Sequence, residues 1–161
     1  MELRPLSTRE LVTASELLLR TNHGQSLSAL ADDLAVSMRN WPSLQIGAFD
    51  ENGALAGLIA GRIDARDPTI GYSDDIVVMD RFRAHGIGST LLSRQIEAFG
   101  ELGCHRVRGL SPSSLYGALP FFERYGFKVI RRFSAQGVWG IADGQEVCVT
   151  EKPLVSDESF R

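Results

Sequence analysis

Residues suited to binding an anion follow one another closely at Arg83, Gly86, Gly88, Ser89 and Thr90. The two glycines let the backbone bend so that several N–H groups point to one place. The two hydroxyl residues then lead into a helical pattern, and the free N–H groups of a helix N-terminus attract negative charge. This stretch therefore predicts an anion-binding site.

The neighbouring residues give this site a strand before it and a helix after it. The short apolar run Ile76–Met79 predicts a strand that is buried on both faces. Leu92, Ile96 and Phe99 recur at helical spacing and predict an amphipathic helix. The anion-binding turn is therefore expected to join a strand to a helix.

Several kinds of anion site share this arrangement, and the spacing separates some of them. A dinucleotide site has the pattern G-x-G-x-x-G, but Leu91 stands where the third small residue belongs. A Walker loop requires a lysine, and none lies nearby. The pattern [QR]-x-x-G-x-[GA] is satisfied by Arg83, Gly86 and Gly88. An ordinary strand-to-helix turn, with glycines serving only geometry, stays open as the alternative.

The bulk composition restricts the class of protein. With 161 residues the chain is long enough for one domain and too short for two. A formal net charge of −3 gives no electrostatic reason to expect nucleic acid binding. The sequence has no apolar run long enough for a membrane span and no N-terminal signal pattern, so we expect a cytoplasmic protein. The cysteines, Cys104 and Cys148, fall in predicted strands and predict buried thiols and no metal site.

Periodicity and turn signals predict the order β-α-α-β-β-β-α-β-α-β-β. This order predicts an α/β fold, with a central mixed, mostly antiparallel twisted sheet of six to seven strands and helices on both faces. We expect one domain over residues 1–154 and a C-terminal tail over 155–161. Outside the anion-binding region the predicted strands and helices are Leu3–Leu6, a helix after the capping box Ser7–Glu10, Ser26–Arg39, Ser43–Phe49, Ala54–Ile63, Cys104–Leu110, Leu115–Tyr125, Phe127–Ala135 and Glu146–Lys152.

Two features of these elements carry further expectations. Asp64–Gly71 is expected to be a loop. Pro120 interrupts the helix predicted over Leu115–Tyr125, so this helix is expected to kink or to begin near Leu119.

The pattern at Arg83–Gly88 resembles motif A of the GNAT superfamily of N-acetyltransferases. The segment Ala118–Phe127 looks like the family's motif B, A-x-x-F-Y-x-x-x-G-F, and follows motif A at the family's separation. The predicted element order is also the family's. The resemblance covers the chain up to Leu154 and implies the GNAT fold, with acetyl-CoA as co-substrate and no metal.

The resemblance also implies roles for the residues of motif A and the strand before it. The backbone of Ile76, Val77 and Val78 would contact the pantetheine arm, and the amides of the loop would face the pyrophosphate. His85 is expected to face solvent, with a catalytic role as the alternative. The residues expected to bind the cofactor are Ile76, Val77, Val78, Arg83, Ala84, His85, Gly86, Ile87, Gly88, Ser89 and Thr90.

Motif B departs from the family at two positions. The tyrosine that protonates the departing thiolate falls on Phe122, and an asparagine often found earlier falls on Leu115. Tyr116 and Tyr125 are near in sequence, but neither occupies the family position. Tyr125 is therefore a candidate catalytic acid, with a packing role as the alternative.

The base that takes a proton from the amine must come from other residues. By period-two alternation Tyr72 and Asp74 share a strand face with Ile76, whereas Asp75 lies on the other face. Family members often place a carboxylate on this strand. Asp74 is therefore the first candidate base and Tyr72 the second, acting directly or through water. Polar residues at the mouth of a strand, without catalytic work, are the alternative.

These observations predict an acetyl-CoA-dependent N-acetyltransferase in which an amine attacks the thioester directly, because no activated nucleophile is visible. A non-catalytic acyl-CoA-binding module and a nucleotide-binding α/β domain are the alternatives. The expected partners are acetyl-CoA and an amine on a small molecule or peptide, with a homodimer left open and with neither nucleic acid nor membrane. The N-terminal helices and the last hairpin are expected to form the acceptor pocket, whose substrate no motif identifies.

Overall fold

A computed structural model describes residues 1–22, 24–113, 118–138 and 141–154. These residues form seven strands and four α-helices in the predicted order. The elements are β1 (Glu2–Pro5), α1 (Leu11–Leu19), α2 (Leu27–Asn40), β2 (Ile46–Phe49), β3 (Leu55–Ile63), β4 (Ile70–Val78), α3 (Ile87–Glu101), β5 (Arg106–Pro112), α4 (Ala118–Arg124), β6 (Lys128–Ser134) and β7 (Glu146–Pro153).

All seven strands belong to one sheet in the order β1-β2-β3-β4-β5-β7-β6. Neighbouring strands are antiparallel except β4 and β5, which are parallel and are joined through α3. A parallel pair needs such a crossover connection, whereas a short hairpin suffices for antiparallel strands. The predicted fold class, a mixed and mostly antiparallel sheet, is confirmed.

Helices cover the two faces of the sheet with separate apolar clusters. On one face, α1 and α2 pack Leu18 and Leu34 against Leu58 of β3. On the other face, the core contains Leu92 of α3 and Phe122 of α4. Because both faces are covered, polar groups between the layers must find partners or line a cavity.

Side chains at the helix starts match their sequence signals. The Ser7 amide donates to Glu10 Oε1 at 3.0 Å, which closes the predicted capping box before α1. The Ala29 amide donates to Ser26 Oγ at 3.0 Å, so Ser26 caps α2. Pro120 lies in the first turn of the described part of α4, where a proline is tolerated. Leu115–Gly117, where the helix was predicted to begin, lie outside the described residues.

Several strand boundaries differ from those predicted, and for β2, β4 and β5 the reason is local. β2 begins at Ile46, after a 3₁₀ turn at Pro42–Leu44. β4 begins at Ile70, before the predicted end of the loop, because the Asp64 carboxylate accepts from the amides of Arg66 and Asp67 and so closes a tight turn.

β5 begins two residues late because the Cys104 amide donates to the carbonyl oxygen of Phe99 at 3.0 Å and so terminates α3. Cys104 therefore precedes the strand in which it was predicted to lie, although both cysteines are free and buried as predicted. β5 also continues to Pro112, past its predicted end, and stays paired with β7 there.

Candidate active site

β4 and β5 separate after a short stretch of pairing. Parallel pairing joins Ile70–Tyr72 to Arg106–Arg108 and goes no further among the described residues. The remainder of β4 keeps its pairing with β3 on the opposite side. The two strands therefore diverge towards their carboxyl ends and leave one backbone edge of each without a strand partner.

A cavity of about 730 Å³ occupies this gap. β4 and β5 supply its centre, α2 and the segment after α1 one end, and α4 with the β6–β7 connection the other. The second N-terminal helix and the last hairpin thus contribute described residues to the cavity, and their role as the acceptor pocket stays a prediction. The lining residues are Thr21, Asn22, Asp33, Ser37, Arg62, Ser73, Asp74, Asp75, Ile76, Gly109, Leu110, Ser111, Pro112, Ala118, Phe122, Val138, Ile141, Ala142 and Gln145.

The glycine loop adjoins β4 and leads into α3. Ala84 and Gly86 adopt left-handed backbone conformations, with φ of 63° and 75°. Among the described residues, no acceptor receives a hydrogen bond from the backbone amides of 84–89. Free amides on a left-handed bend, at the start of a fifteen-residue helix, form an anion-binding nest. The strand–turn–helix geometry expected from the sequence is confirmed.

The side chains of Arg83 and His85 are exposed and have partners within their own segment. Arg83 is exposed and its guanidinium lies 3.2 Å from the carboxylate of Asp80. His85 is exposed as predicted, and its Nδ1 lies 2.8 Å from the carbonyl oxygen of Arg83. Because a carbonyl oxygen only accepts, Nδ1 carries the hydrogen and donates to it. The loop therefore presents its backbone amides towards an incoming anion.

The two hydroxyl residues at the start of α3 differ in what they can offer a ligand. Thr90 Oγ1 donates to the carbonyl oxygen of Gly86 at 2.9 Å, so its hydrogen is already used within the helix. Ser89 Oγ accepts a hydrogen bond from the hydroxyl of Tyr125 and keeps its own hydrogen for another acceptor. Ser89 is thus the better phosphate donor of the two.

The Tyr125 side chain reaches the start of α3, next to the glycine loop. Its hydroxyl reaches Ser89, its ring contacts the ring of Phe121 at 5.2 Å between centroids, and its carbonyl oxygen accepts from Lys152 Nζ at 2.7 Å. It is not among the described residues that line the cavity. This placement favours a positioning role over the candidate catalytic one.

A bulge in β4 overturns the predicted distribution of its side chains. Asp75 pairs with Ala60 and Ser73 with Gly61, so Asp74 is an extra residue in the ladder. Val77 packs on the α1–α2 face, whereas Ile76 packs on the α3 face. Asp75 lies on the same face as Val77, because side chains two residues apart on a strand share a face. Asp74 and Asp75 therefore both line the cavity, and the prediction that Asp74 shares a face with Ile76 and not with Asp75 is wrong.

The environment of Asp74 differs from that of an ordinary surface carboxylate. About a third of its side chain is accessible, but it opens into the cavity and is surrounded by protein rather than bulk water. This burial, together with the negative charges of Asp75 and Asp33 and against the attraction of Arg62, raises the pKa of Asp74 to about 7. Arg62 Nε lies 3.3 Å from Asp74 Oδ2. Asp74 can therefore exchange a proton near neutral pH.

Asp75 is held by a neutral partner. Asn22 Nδ2 donates to Asp75 Oδ1 at 3.2 Å and also to the carbonyl oxygen of Leu18 at 2.9 Å. Burial raises the pKa of Asp75, and the hydrogen bond from Asn22 opposes this change. Asn22 thus fixes the carboxylate at the wall of the cavity without supplying a counter-ion.

The other predicted site residues occupy distinct positions. Tyr72 lies beneath the guanidinium of Arg62, 4.2 Å from its ring centroid, and is not among the described cavity-lining residues. Phe122 lines the cavity and packs edge-on against Phe127, at 5.2 Å between centroids. Leu115 and Tyr116 lie outside the described residues.

Sequence reasoning missed Asp75, Asn22 and Asp33 as site residues. Asp33 is an exposed residue of α2 beside the buried Leu34, and the apolar periodicity of that helix says nothing about a site. The bulge that brings Asp74 to the same side as Asp75 has no glycine or proline signal. Neither position could be assigned to the site without the fold.

Among the described residues, no group of three or more His, Cys, Asp or Glu side chains could hold a metal ion. No helix of this part of the chain is both long and apolar enough to cross a membrane.

The amino-acid sequence and the fold match known acetyltransferases. The model of the acetyltransferase (GNAT) family matches residues 12–127, which is more than half of the chain. The N-alpha-acetyltransferase MAK3 of Arabidopsis thaliana is 34% identical over 87 residues, which are 54% of this chain and 46% of that protein. The chain therefore spans less than half the length of this relative.

Solved structures share the fold at low identity. Ard1 from Thermoplasma volcanium superposes with a TM-score of 0.79 and 21% identity, over 96% of this chain and 98% of that one. The NatC complex bound to Gag peptide and CoA gives a TM-score of 0.75 and 22% identity, over 96% of this chain and all (100%) of the matched one. The match of the family model over residues 12–127 shows that the chain belongs to the acetyltransferase (GNAT) family, which confirms the predicted family.

Proposed function

We propose that this protein transfers the acetyl group of acetyl-CoA to an amine that binds in the cavity between β4 and β5. The most direct support is that β4 connects the cavity to the glycine loop. The diverging strands leave a cavity of about 730 Å³, and β4 leads from that cavity to the free amides of the glycine loop. A long ligand with a phosphate group at one end and a reactive group at the other matches this arrangement.

The chain's own groups fit coenzyme A. The amides of 84–89 would hold the pyrophosphate, assisted by the Ser89 hydroxyl. The free backbone edge of Ile76–Val78 would pair with the amides of the pantetheine arm, as an added strand would. Because these contacts come mainly from the backbone, the position of β4 relative to α3 determines the fit.

The bound acetyl thioester supplies a carbonyl carbon that is open to attack by an amine. The chain must then hold the amine and accept its proton as the new C–N bond forms and the C–S bond breaks. Asp74 is suited to that proton because its pKa lies near 7 and it lines the cavity. It would act directly or through one water molecule. Tyr72, which lies under the guanidinium of Arg62, is the second candidate and would reach the amine through water.

Transfer without an acyl-enzyme is part of this proposal. No cysteine or histidine is among the described residues that line the cavity, and both cysteines are buried elsewhere. A covalent intermediate would need an activated nucleophile within reach of the thioester. The departing thiolate would take its proton from water, because Phe122 occupies the position of the family tyrosine.

Calorimetry with coenzyme A tests the cofactor site. Gly88→Asp should abolish binding, because a carboxylate would enter the amide nest and repel the pyrophosphate. Gly100→Asp, which adds the same charge near the other end of α3 where a side chain has open space, should bind like the wild type. Unchanged coenzyme A affinity in a folded Gly88→Asp protein would refute the assignment.

A thiol-release assay with acetyl-CoA and a panel of amines tests the chemistry. Amine-dependent release would support the transferase. Coenzyme A binding without release would support the alternative, a non-catalytic acyl-CoA-binding module, which Phe122 favours because it has no proton to give to a departing thiolate. A cytoplasmic location and a homodimer are further parts of the proposal, tested by cell fractionation and by light scattering.

A further inference from the structure

The cavity that we assign to the acceptor has two chemically different walls. The first comes from the β4 bulge and α2 and carries the carboxylates of Asp33, Asp74 and Asp75. The second comes from β5, α4 and the β6–β7 connection and is mainly apolar, with Leu110, Phe122 and Ile141, although Ser111 and Gln145 also lie on it. An acceptor bound between them meets negative charge on one side and hydrocarbon on the other.

The acidic wall is only partly neutralised. Arg62 is the one basic residue among the described lining residues, and its guanidinium is engaged with Asp74 and stacked over Tyr72. Asp75 is hydrogen-bonded to the neutral Asn22. This wall therefore attracts an ammonium group and repels carboxylate or phosphate groups on the acceptor.

The apolar wall has lost the polar group that the family places there. Phe122 stands at the tyrosine position, is 7% exposed, and is fixed by edge-on contacts with Phe121 and Phe127. Leu110 and Ile141 are half-buried beside the same cavity. An apolar group against this wall would release water, whereas a hydrated or charged group would lose hydrogen bonds without replacement.

We infer that the preferred acceptor is a primary amine whose neighbouring substituent is apolar, bound with its ammonium group against Asp74 and Asp75 and its substituent against Leu110, Phe122 and Ile141. This inference rests on the proposed function, since it concerns the acceptor side of the same site. It excludes acceptors that carry an acidic group next to the amine. It is a statement about chemical class, and an apolar amino-terminal residue of a peptide and a free alkylamine both satisfy it.

Amino-acid amides test the inference, because they share the same α-amine and lack the α-carboxylate, so that only their side chains differ. Leucinamide, glycinamide and glutamic acid α-amide are titrated into the protein saturated with coenzyme A, and their kcat/KM values are measured with acetyl-CoA. Leucinamide should exceed glycinamide about tenfold or more in affinity and in kcat/KM, since a hydrophobic pocket discriminates by about this factor. The glutamic acid derivative should fall below glycinamide.

Two variants test whether the apolar wall causes the preference for leucinamide over glycinamide. Ile141→Ser should reduce the ratio of leucinamide to glycinamide, whereas Ile130→Ser should leave it unchanged. Ile130 is 50% exposed on β6 and is not among the described cavity-lining residues. Asp75→Asn should weaken binding of both amines without changing their ratio.

The outcomes separate this inference from the proposed function. If coenzyme A binds but glycinamide or the glutamic acid derivative is preferred, or none of the amides binds, the inference is wrong while the cofactor site stands. If coenzyme A itself does not bind, the proposed function is wrong, and the inference that rests on it is rejected with it.

Discussion

The hydroxyl groups of Tyr125 and Ser89 meet across 36 positions of sequence and join α4 to the start of α3. Tyr125 donates and Ser89 accepts, which leaves the Ser89 hydrogen free for a phosphate oxygen. A hydroxyl that accepts one hydrogen bond becomes a better donor of another. In the proposed complex Tyr125 would therefore act on the cofactor through Ser89, although it is not among the described residues that line the cavity.

Tyr125→Phe should weaken coenzyme A binding by about 1 kcal/mol, typical of one hydrogen bond that supports a charged group. The loss should disappear in a Ser89→Ala background, because both substitutions remove the same contact. Binding of pantetheine, which lacks the pyrophosphate, should not change. A loss of equal size in the Ser89→Ala background, measured by calorimetry, would show that the Tyr125 hydroxyl acts independently of Ser89.

Phe122→Tyr restores the hydroxyl that the family places beside the departing thiolate. Thiols have a pKa near 8.5, so the wild type can release the thiolate with water as acid, at a cost within the ~10²–10⁴ of general acid catalysis. The variant should fold and should keep or raise kcat. Phe133→Tyr, which adds a hydroxyl on β6 outside the described cavity lining, is the control. Loss of activity in folded Phe122→Tyr would mean that α4 presents another face to the thioester.

At the scale of elements, the sequence predicted what depends on local signals. Gly86 and Gly88, with an apolar strand before them and a helix after, were enough to locate the strand–turn–helix unit, and the Ser7–Glu10 capping box placed the start of α1. The bulge at Asp74 could not be predicted, because alternation assumes an unbroken ladder and the extra residue is defined only by pairing with β3. Asn22 reaches the site from the segment after α1 and Asp33 from α2, and the positions of both depend on tertiary packing.

The bulge couples two adjacent carboxylates, and this coupling should appear in the pH dependence of kcat/KM. Asp74 must be ionised to accept a proton, so activity should rise as the pH passes through about 7. Asp74→Asn should lower the rate by ~10²–10⁴ and remove this limb of the profile, leaving only the titration of the amine itself.

Asp75→Asn is the matched control within the same bulge. Its negative charge helps to raise the pKa of Asp74, so its removal should shift the limb to lower pH without abolishing it. Identical profiles for the wild type and Asp74→Asn would show that another group accepts the proton.

At the scale of the whole molecule, the cavity is an element of the fold that lowers its stability. Closing the sheet between β4 and β5 would pair the free strand edges and exclude the carboxylates from the interior, but it would also remove the site. The chain instead keeps an open wedge flanked by two apolar clusters, one on each face. An ionised Asp74 would therefore serve the proposed reaction but lower the stability of the fold. Glu10, beside the edge strand β1, is instead an ionised carboxylate that its hydrogen bonds stabilise.

The pH dependence of the free energy of unfolding should separate these two carboxylates. Burial raises the pKa of Asp74 from 3.8 to about 7, so between these values the folded protein holds a proton that the unfolded chain releases, and the contribution of Asp74 to stability falls as the pH rises. Burial acts in the same direction on Glu10, but hydrogen bonds from Ser7 and Arg4 outweigh it and lower its pKa from 4.5 to about 2. Its contribution is therefore present above pH 4.5 and is lost as the pH falls towards 2.

Thermal unfolding of two amide variants at several pH values tests these opposite signs. Asp74→Asn should raise the melting temperature at pH 8 relative to the wild type and lose this advantage at pH 4, where the wild-type carboxyl is already protonated. Glu10→Gln should lower the melting temperature at pH 7 and differ little from the wild type near pH 2, because protonation has by then removed the same interaction. If Asp74→Asn is instead destabilised at pH 8, the ion pair with Arg62 at 3.3 Å outweighs the cost of burying the charge, and Asp74 is a structural residue held ionised across the neutral range.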